Sequence, residues 1–591
     1  MRKRRGSAMP APLMSELSGS LEPGAKDGRP RGGSTVPPAP VNESRQMDAM
    51  TAIKARNYPK REGRASTTLD DFLDLAGSRP DDIALVSYLA GRPEPATLTY
   101  GRMAELVDRL ALRLIELGVR PREFVSFQLP NRWEFAIAHL ATIRIGAISN
   151  AIMPIYGRRE VRFMLERTKS RVCIALKRTP RTEPGKMLAE LRDELATLEH
   201  LILIDDDEPG LSLESQLAGV TVQKAARTDL DRLRPHPDDV EAILFSSGTT
   251  GEPKAILHSF NSIYRATANS FGAMGMSSRD VVLMSSPLGH ATGFYFGLEM
   301  PLICGCRMVF QDMWNPEEML RIIERERVTW TMGTASFAED ACDAAERITY
   351  DTSSFRCFVC GGAPIPPKLV GRTSRLLGAQ LIPSWGMTEA GITTIGRFTD
   401  SPERRASSAG KPVDGVEVRV VDGAGDPLPL CTSGHLQLRA TGQHVGLFMN
   451  DELYAASFQD GWFNTGDIGE IDEEGYVRIV GRSKDIVIRG GENIPIIEIE
   501  NLIRDIPAVK EVAIVGVPDA RLGERCHAVL VPRVPGQEIS LKEVVRHLEA
   551  LGVTKQYWPE YLTVADDLPR TASGKIQRFV IRNQLITTDN D

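Results

Sequence analysis

Residues 243–254, which read ILFSSGTTGEPK, decide the fold of this chain. A short apolar run leads into a loop of glycines and hydroxyl side chains, and a lysine follows. The loop residues are Ser246, Ser247, Gly248, Thr249, Thr250 and Gly251, and the lysine is Lys254. Glycines let the backbone turn its N–H groups toward an anion, hydroxyls add donors, and the lysine adds positive charge. The stretch therefore predicts a buried strand that runs into a phosphate-binding loop.

This loop differs from the P-loop pattern GxxxxGK[ST]. Its lysine does not follow a glycine, and no Ser or Thr comes directly after it. A flexible Gly/Ser/Thr turn would explain the glycines alone. It would not explain why hydroxyls and a lysine converge behind a buried strand, so we expect nucleotide phosphates to bind here.

On both sides of the loop, helical patterns alternate with short apolar strands. The leucines that recur at helical spacing in the first such helix are Leu106, Leu110, Leu114 and Leu117. Buried strands are predicted at 124–129, 173–176, 201–204, 281–285, 308–310 and 328–332. The alternation predicts an α/β fold of stacked layers with mainly parallel sheets.

Length, composition and charge limit the possible functions. The 591 residues are 42% apolar and 25% charged, which is ordinary for a globular protein and excludes collagen and coiled coil. Residues 1–66 hold 13 Lys/Arg and 6 Asp/Glu, so a net charge of +7 lies there and −14 in the rest of the chain, within a total of −7. An acidic body argues against a protein whose whole surface binds nucleic acid.

Residues 1–66 are predicted to be a disordered basic tail rich in proline and glycine. The first 52 residues contain no isoleucine and no aromatic residue, and such a segment cannot bury enough apolar surface to order itself. We interpret the RKRR segment at 2–5 as a solvated cluster of charges. A nucleic-acid or membrane contact and the start of an organellar presequence remain as alternatives. A gene model extended upstream of Met47 or Met50 is equally compatible.

The eight cysteines are too few for a disulfide scaffold, and no secretory signal is visible, so we expect a cytoplasmic protein. Cys357 and Cys360 form a close pair with C-x-x-C spacing. No second pair follows at the spacing of a metal finger, so we predict two buried strand thiols. No run of 18 apolar residues occurs, so no membrane span is predicted.

The SSGTTGEPK segment resembles the phosphate-loop signature of the adenylate-forming superfamily, which contains acyl-CoA synthetases, adenylation domains and luciferases. Further motifs appear in the order of that family, and the resemblance covers about residues 68–585. It implies a large N-terminal domain and a small mobile C-terminal domain of α+β type. Short β-like runs between 416 and 439 predict a β-rich subdomain in the large domain. We place the two domains at 67–482 and 483–591, because a polar GRSKD segment lies at the join.

Two motifs resemble the part of the family site that holds adenine and the α-phosphate. The adenine loop corresponds to Gly361, Gly362, Ala363 and Pro364. The segment SWGMTE at 384–389 corresponds to the family's YGxTE element, so Gly386 and Met387 are expected beside the nucleotide. The resemblance implies that Trp385 stacks on adenine in place of the usual tyrosine, that Thr388 bonds the α-phosphate, and that Glu389 helps to hold Mg²⁺.

A third motif, Thr465-Gly466-Asp467, resembles the ribose-binding TGD element of the family. A carboxylate can accept hydrogen bonds from both ribose hydroxyls. By the same resemblance, Ile479 packs on the nucleotide and Arg482 also bonds the ribose.

The segment PRTASGKI at 569–576 resembles the catalytic-lysine loop of the family. The reaction brings a carboxylate anion onto the α-phosphorus of ATP, and Lys575 together with Mg²⁺ would offset the repulsion. The resemblance also implies a rotation of the C-terminal domain about Lys484 between two half-reactions. After that rotation a loop containing Gly490, Gly491 and Glu492 would enter the site beside coenzyme A.

Substrate choice is expected in the segment PLGHATGF at 287–294. The family position matching Ala291 is an aspartate in amino-acid-activating domains and an asparagine in enzymes that read a 2-hydroxyaryl acid. Alanine can read neither group. His290 matches a common residue beside the acyl pocket, although a packed histidine stays open as an alternative. Phe294, Trp385 and Ile392 are predicted to wall an apolar cavity.

We therefore predict an acid–thiol ligase that activates an apolar, non-amino carboxylic acid with ATP and transfers it to coenzyme A. Residues 125–159 and 283–296 look most like alicyclic and medium-chain acyl-CoA ligases, such as cyclohexanecarboxylate-CoA ligase. Two alternatives remain: an adenylating enzyme that loads a separate carrier protein, and a non-catalytic nucleotide-binding homologue. Intact Lys575, Glu389 and Asp467 count against the second alternative.

Overall fold

The computed structural model describes residues 63–588, apart from 181, 206–211, 219, 247–252, 364, 484–486, 490–491, 495, 520–521, 554 and 572–574. Backbone contacts divide the chain into Met1–Ala52 and Ile53–Asp591, and all described residues belong to the second unit. The predicted tail therefore lies almost entirely outside the described residues.

The strands in the first two thirds of the described chain are β1 (Ile83–Tyr88), β2 (Ala96–Thr99), β3 (Phe124–Gln128), β4 (Ile148–Ile152), β5 (Val172–Leu176), β6 (His200–Ile204), β7 (Val240–Ser246), β8 (Lys254–Ser259), β9 (Val281–Met284), β10 (Arg307–Gln311), β11 (Trp330–Gly333), β12 (Cys357–Gly361), β13 (Gln380–Met387), β14 (Gly391–Ile395) and β15 (Lys411–Pro412). The later strands are β16 (Val416–Val421), β17 (Gly434–Ala440), β18 (Gly446–Leu447), β19 (Phe458–Gln459), β20 (Trp462–Ile471), β21 (Val477–Arg482), β22 (Val487–Arg489), β23 (Glu492–Ile494), β24 (Val509–Asp519), β25 (Gly523–Pro532) and β26 (Tyr561–Val564).

The first helices are α1 (Thr68–Ser78), α2 (Tyr100–Glu116), α3 (Trp133–Arg144), α4 (Arg158–Thr168), α5 (Pro184–Glu194), α6 (Leu213–Leu217), α7 (Lys224–Asp231), α8 (Phe260–Met274) and α9 (Ala291–Gly293). The π-helix Phe294–Glu299 continues α9 without a break, and α10 (Met300–Cys304) follows it. The remaining helices are α11 (Pro316–Glu326), α12 (Ala335–Ala345), α13 (Pro367–Leu377), α14 (Pro402–Ser407), α15 (Asp451–Ala456), α16 (Ile496–Arg504), α17 (Leu541–Ala550) and α18 (Arg578–Thr588), with a 3₁₀ turn at Lys555–Tyr557.

Local sequence explains where several helices begin and end. Thr67 and Asp70 form a capping box at the start of α1, which satisfies two backbone donors reciprocally. The side chain of Thr99 accepts a hydrogen bond from the backbone of Arg102 at the start of α2. That helix gives way to Gly118, whose φ of +83° is a conformation that glycine adopts without steric cost.

Two large sheets are mainly parallel, as the alternation of helices and strands predicts. One has the order β15-β14-β13-β12-β11-β9-β10-β1-β2, and the other has the order β18-β8-β7-β4-β3-β5-β6. In the second sheet, Val125 lies opposite Ser149 on one side and Val172 on the other, both in parallel register. Within the described strands of these two sheets, antiparallel pairs occur only toward the edges. They are β1–β2, β13–β14–β15 and β7–β8–β18.

Helix α3 lies at the centre of the molecule. It contacts β1 of the first sheet as well as β3 and β4 of the second, and every residue from Glu134 to Arg144 is buried. A helix that is apolar on nearly all sides is stable only when other elements cover it completely. This central layer positions the strand ends that form the site described below.

The β-rich subdomain is a third sheet, with the order β16-β17-β20-β19 and β21 paired to β20. The C-terminal domain contains a fourth sheet, with the order β23-β22-β25-β24 and β26 paired to β25. Helices α16, α17 and α18 accompany that sheet, and residues of both form its own apolar core. The α/β class, with a large N-terminal and a smaller C-terminal domain, is thus confirmed.

Two smaller predictions from the sequence, the buried thiols and the positions of the strands, are also confirmed. Cys357 and Cys360 lie on β12 with no exposed surface, so they are buried strand thiols. Each of the six predicted strands corresponds to an observed strand, with ends that differ by up to two residues. No helix of the described residues has both the length and the apolar character that a bilayer crossing requires.

Candidate active site

A cavity opens at the carboxyl ends of strands β9, β11, β12 and β13. Residues that come just after these strands line it: Ser286, Thr334, Gly362 and Thr388. Ligands of open parallel sheets bind at this edge, because loops after several strands meet there. The sheet therefore brings together segments that are about one hundred residues apart in sequence.

One side of the cavity is apolar. Its wall includes Ala291, Tyr295, Phe296, Met332 and Ile392, and no Asp or Glu is among the described residues that line it. The predicted positions of Ala291 and Ile392 beside an apolar cavity agree with this wall. An acyl chain without an ammonium group fits such a surface.

Two predicted wall residues, Phe294 and Trp385, are not among the described residues that line this cavity. Phe294 has no exposed surface and packs edge-on against the ring of His139, with centroids 5.0 Å apart. The turns of the helix aim Ala291, Tyr295 and Phe296 at the cavity, which leaves Phe294 on the opposite face. Trp385 does not line this cavity but the wider cleft beside it.

The wider cleft continues from the cavity past Gly362, Ser384, Gly386 and Lys575, which line both. The predicted nucleotide residues that line the cleft are Gly362, Ala363, Trp385, Gly386, Asp467, Ile479, Arg482 and Lys575. Gly361 and Met387 line the cavity instead. Motifs separated by more than two hundred residues thus surround one continuous space.

Asp467 is held by two donors in this cleft. Its Oδ2 accepts a hydrogen bond from Nε1 of Trp385 at 2.8 Å, and its Oδ1 accepts from Nε of Arg482 at 2.9 Å. The Thr465 hydroxyl accepts from the Asp467 backbone N–H at 3.0 Å. Each carboxylate oxygen keeps a second lone pair, so the group can still accept from a diol. The tryptophan that replaces the family's tyrosine therefore fixes the carboxylate through its indole N–H.

Lys575 reaches the site from the C-terminal domain. A Cβ placed on Gly362 would lie 3.2 Å from Cε of Lys575, and the φ of Gly362 is +77°. Burial, together with Arg482, lowers the pKa of Lys575, whereas Asp467 and Glu389 oppose that shift. Both the space and the backbone conformation thus favour glycine at position 362.

Two hydrogen bonds join Lys575 to Thr571. The Thr571 N–H donates to the Lys575 carbonyl at 2.7 Å, and the Lys575 N–H donates to the Thr571 hydroxyl at 3.0 Å. These bonds hold the two ends of residues 572–574, which are outside the described residues.

The Thr388–Glu389 segment is fixed through its backbone. The Tyr295 hydroxyl donates to the Thr388 carbonyl at 2.9 Å, and Nε2 of His258 lies 2.9 Å from the same oxygen. The Glu389 carbonyl accepts from the His444 backbone N–H at 2.7 Å. The side chains of Thr388 and Glu389 are therefore carried on an anchored backbone.

The Glu389 carboxylate has the environment of a cation ligand. Burial raises its pKa, while Lys254, Arg482 and Lys575 oppose the rise. No side chain of the described residues donates a hydrogen bond to it. Mg²⁺ is usually held by one or two carboxylates together with substrate phosphates and water, so Glu389 fits such an ion.

His290 lines the cavity close to Lys575. Its Nδ1 accepts from the Thr292 backbone N–H at 3.2 Å, which starts helix α9. Burial, with a smaller contribution from Lys575, lowers the pKa of His290 to about 3. This shift favours the neutral imidazole near neutral pH.

Several predicted site residues cannot be placed. Ser247, Gly248, Thr249, Thr250, Gly251, Pro364, Lys484, Gly490 and Gly491 lie outside the described residues. Ser246 ends β7 opposite Lys254 on β8, so the two ends of the phosphate loop are described. Glu492 begins β23, but its side chain is not described.

Other residues that line or support the site were not predicted from the sequence. Met332 and Thr334 lie at the carboxyl end of β11. The predicted strand that ends there could have indicated that these residues line the site. Tyr295 and His258 act on Thr388 through hydrogen bonds between distant segments, which no local pattern reveals.

Enzymes that join a carboxylic acid to AMP need a place for the acid, a place for the nucleotide and a cation between them. The described cleft offers an apolar cavity, a carboxylate suited to a ribose, and Lys575 where the two meet. The fold and the cleft thus define an enzyme of the adenylate-forming class.

Comparison with known proteins identifies the family. Residues 72–446 match the family model of the AMP-binding enzyme, and residues 498–575 match that of the AMP-binding enzyme C-terminal domain. The first match alone covers more than half of the chain, so the chain belongs to the AMP-binding enzyme family.

Relatives agree in length and fold. A medium-chain fatty-acid–CoA ligase of Escherichia coli (strain K12) is 32% identical over 94% of this chain and 98% of its own. A 3-[(3aS,4S,7aS)-7a-methyl-1,5-dioxo-octahydro-1H-inden-4-yl]propanoyl:CoA ligase of Rhodococcus jostii (strain RHA1) is 30% identical over 82% of this chain and 94% of its own. The crystal structure of ATP-bound MatB from Rhodopseudomonas palustris superposes with a TM-score of 0.77 at 26% identity, over 88% of this chain and all of that one.

Proposed function

We propose that this protein joins an apolar, non-amino carboxylic acid to coenzyme A in two steps. In the first, the acid and ATP form acyl-AMP and pyrophosphate. In the second, the thiol of coenzyme A attacks the acyl carbon and AMP leaves. The observation that carries the proposal is Lys575, which the C-terminal domain brings to the boundary between an apolar cavity and the nucleotide cleft.

The first step puts one anion onto another, because the substrate carboxylate attacks the α-phosphorus of ATP. The ammonium of Lys575 would lie beside the reacting oxygens and stabilise the charge that develops. The Thr388 hydroxyl would donate to the α-phosphate from an anchored backbone. Lys254 and the loop before it would bind the outer phosphates. Mg²⁺, held by Glu389, would neutralise phosphate charge when bound.

The nucleoside would be held by the cleft residues. Asp467 would accept hydrogen bonds from the ribose hydroxyls, while the Trp385 indole and the Arg482 guanidinium keep its carboxylate in place. Gly362 and Ala363 leave room for a flat base, and Ile479 would pack against it. Fixing the acceptor before the nucleotide arrives removes part of the ordering cost of binding.

The nature of the acid is inferred from the cavity wall. Ala291 offers neither a carboxylate for an ammonium group nor an amide for a ring hydroxyl, and the other described wall residues include no acid. The names of the two relatives, one for a medium-chain fatty acid and one for a bicyclic propanoate, support an alicyclic or medium-chain substrate. An apolar wall separates acids that differ by a methylene by only about 1–3 kcal/mol, so several related acids would react.

The second step requires the C-terminal domain to turn. We infer a hinge at Lys484 and domain limits at 67–482 and 483–591; β21 ends at Arg482, immediately before that join. Rotation would withdraw Lys575 and bring the loop of Gly490, Gly491 and Glu492 into the site beside coenzyme A. The described arrangement, with Lys575 at the cavity, corresponds to the first step.

A panel of acids tests the proposal. Purified protein with ATP and Mg²⁺ is given straight-chain, alicyclic, 2-hydroxyaryl and amino acids, with and without coenzyme A, while pyrophosphate, AMP and thioester are followed. We expect pyrophosphate release with the apolar acids, and thioester only when coenzyme A is present. Pyrophosphate without a CoA thioester would favour transfer to a separate carrier protein. Absence of pyrophosphate with every acid would overturn the proposal in favour of a nucleotide-binding homologue.

A further inference from the structure

Three ionisable side chains meet in the centre of the large domain, away from the cleft. They are His139 on α3, Glu241 on β7 and Glu299 at the end of the π-helix, and none has any exposed surface. Nε2 of His139 lies 2.9 Å from Oε1 of Glu299 and 3.5 Å from Oε1 of Glu241. One ligand atom from each of the three residues falls within 4.8 Å of the others.

The two carboxylates have almost nothing to compensate their burial. Outside the three side chains of the cluster, no group of the described residues approaches either carboxylate in hydrogen-bond geometry. Leaving an ionised carboxylate unpaired in an apolar interior costs far more than a typical domain can tolerate. The cluster therefore has to contain further positive charge, either as protons or as a cation.

The imidazole is oriented for a ligand. Nδ1 of His139 lies 2.9 Å from the hydroxyl of Ser149 on β4, and the ring of Phe294 packs against it edge-on. With Nδ1 occupied, Nε2 is the nitrogen that faces the carboxylates. Metal-bound histidines are held in this way, with the second ring nitrogen on a neighbouring polar group.

We propose that His139, Glu241 and Glu299 bind one divalent transition-metal ion, a structural site separate from the Mg²⁺ of the reaction. Two carboxylates and a neutral imidazole around a divalent ion sum to no net charge, which suits a fully buried position. Imidazole with carboxylates suits Zn²⁺ or Mn²⁺ better than Ca²⁺ or Mg²⁺, which prefer oxygen ligands alone. The ion would enter as the domain folds, because the site has no exposed surface.

The three ligands come from elements that matter for the cleft. Strand β7 runs directly into the phosphate loop, and the π-helix carries Tyr295 and Phe296 on the cavity wall. Inserted π-turns are frequent at functional sites. An ion that joins these elements to the central helix α3 would hold the acyl cavity and the phosphate loop in a fixed relation.

In a metal-free protein, protons would have to replace the ion. Burial and the neighbouring Glu299 raise the pKa of Glu241. Burial lowers the pKa of His139, but the two carboxylates outweigh it and raise the pKa overall. A proton-filled cluster is thus the rival occupant, and metal analysis separates the two.

The test measures metal content in the full-length protein. After dialysis against EDTA, which removes weakly held Mg²⁺, transition metals are quantified by mass spectrometry. We expect about one ion per chain in the wild type, as for other closed structural sites. The variant Glu299→Gln keeps the shape of the side chain but loses the ligand charge, and it should retain less than a tenth of the wild-type metal. Glu134→Gln changes a buried glutamate that pairs with Arg132 on α3, the helix of His139, and this variant should keep the full content.

A second measurement does not depend on the variants folding. Wild-type protein is unfolded with chelator and refolded with Zn²⁺, Mn²⁺ or Co²⁺. We expect a higher thermal midpoint than after metal-free refolding, and visible absorption bands from protein-bound Co²⁺. If the wild type holds no transition metal as isolated or after refolding with any of the three ions, protons fill the cluster and the proposal is wrong. Equal metal in wild type and Glu299→Gln would place the ion elsewhere and also overturn it.

Discussion

At the scale of single residues, the site depends on where a few charges are placed and on what holds them. Trp385 shows how one substitution within a motif changes that support, because an indole N–H replaces a phenol. The indole donates to Asp467 and fixes the proposed ribose acceptor from inside the cleft. Lys575 shows the opposite case, a charge that the protein brings in on a loop and keeps partly desolvated.

Replacing Trp385 by phenylalanine keeps an aromatic face but removes the hydrogen bond to Asp467. A hydrogen bond to a charged group contributes about 1.5–3 kcal/mol, so we expect the KM for ATP to rise about tenfold or more. Pyrophosphate release at varied ATP measures it. Trp314→Phe is a matched control, because its indole N–H donates to Asp340, outside the cleft. An unchanged KM in Trp385→Phe would mean that the bond does not support nucleotide binding.

Replacing Lys575 by alanine should separate the two half-reactions. We expect acyl-AMP formation to fall by about 100-fold or more, the loss typical when one transition-state donor is removed. Thioester formation from supplied acyl-AMP should continue, because Lys575 would have left the site by then in the proposed rotation. Lys555→Ala, on the 3₁₀ turn of the same domain, is the control. Normal adenylation by Lys575→Ala would contradict the role given to this lysine.

At the scale of elements, the cavity is made by strand ends and by one irregular helix. Helix α9 and the π-helix after it turn Ala291, Tyr295 and Phe296 toward the acid, and Tyr295 also reaches the backbone of Thr388. The wall of the acyl cavity is therefore coupled directly to the segment that would contact the α-phosphate.

The variant Tyr295→Phe tests this coupling. Loss of the hydroxyl leaves the Thr388 carbonyl with His258 alone, so Thr388 and Glu389 should be held less firmly. We expect the kcat of adenylation to fall about tenfold with little change in the KM for ATP, because a misplaced group affects the reacting geometry most. Tyr100→Phe removes another buried hydroxyl that donates to a backbone carbonyl, and should leave kcat unchanged. A rise in KM alone would indicate that Tyr295 serves binding rather than positioning.

At the scale of the whole molecule, the site is completed by two domains. Lys575 belongs to the C-terminal domain, whereas the cavity, Glu389 and Asp467 belong to the large one. The burial that lowers the pKa of Lys575 therefore exists only while the two domains meet in the described way.

The pH dependence of the two half-reactions should differ for this reason. In the proposed mechanism, adenylation needs protonated Lys575 and ionised Glu389. Because the pKa of Lys575 is lowered, activity should decline with rising pH earlier than an ordinary lysine would dictate. Because the pKa of Glu389 is raised, activity should also decline with falling pH earlier than for an ordinary glutamate.

Single-turnover rates from about pH 5 to pH 10, measured for each half-reaction, check this expectation. This range lies within the span of ordinary carboxyl and lysine pKa values, which run from about 4 to about 10. The alkaline decline should be absent when acyl-AMP is supplied. It should also shift upward in Lys575→Arg, since a guanidinium keeps its proton. Identical alkaline limbs in both half-reactions would contradict the assignment to Lys575.

Much of this architecture could be predicted from the sequence, because parallel strands and amphipathic helices leave strong local patterns. The motifs around Trp385, Asp467 and Lys575 also pointed to one cleft, which all three residues line. The residues of the cavity wall were harder to predict. The direction of the Phe294 side chain depends on a helix whose turns are not regular. The buried cluster at His139 was not predicted, because its three members come from distant segments and no spacing connects them.

The bond between Arg482 and Asp467 has a consequence for how the intermediate is kept. Arg482 lies two residues before the proposed pivot, so it would barely move while the rest of the C-terminal domain turns. The nucleotide half of acyl-AMP would stay bound throughout the proposed rotation of the C-terminal domain. The reactive anhydride would then pass from the first half-reaction to the second without leaving the enzyme. It would therefore be protected from hydrolysis in bulk water.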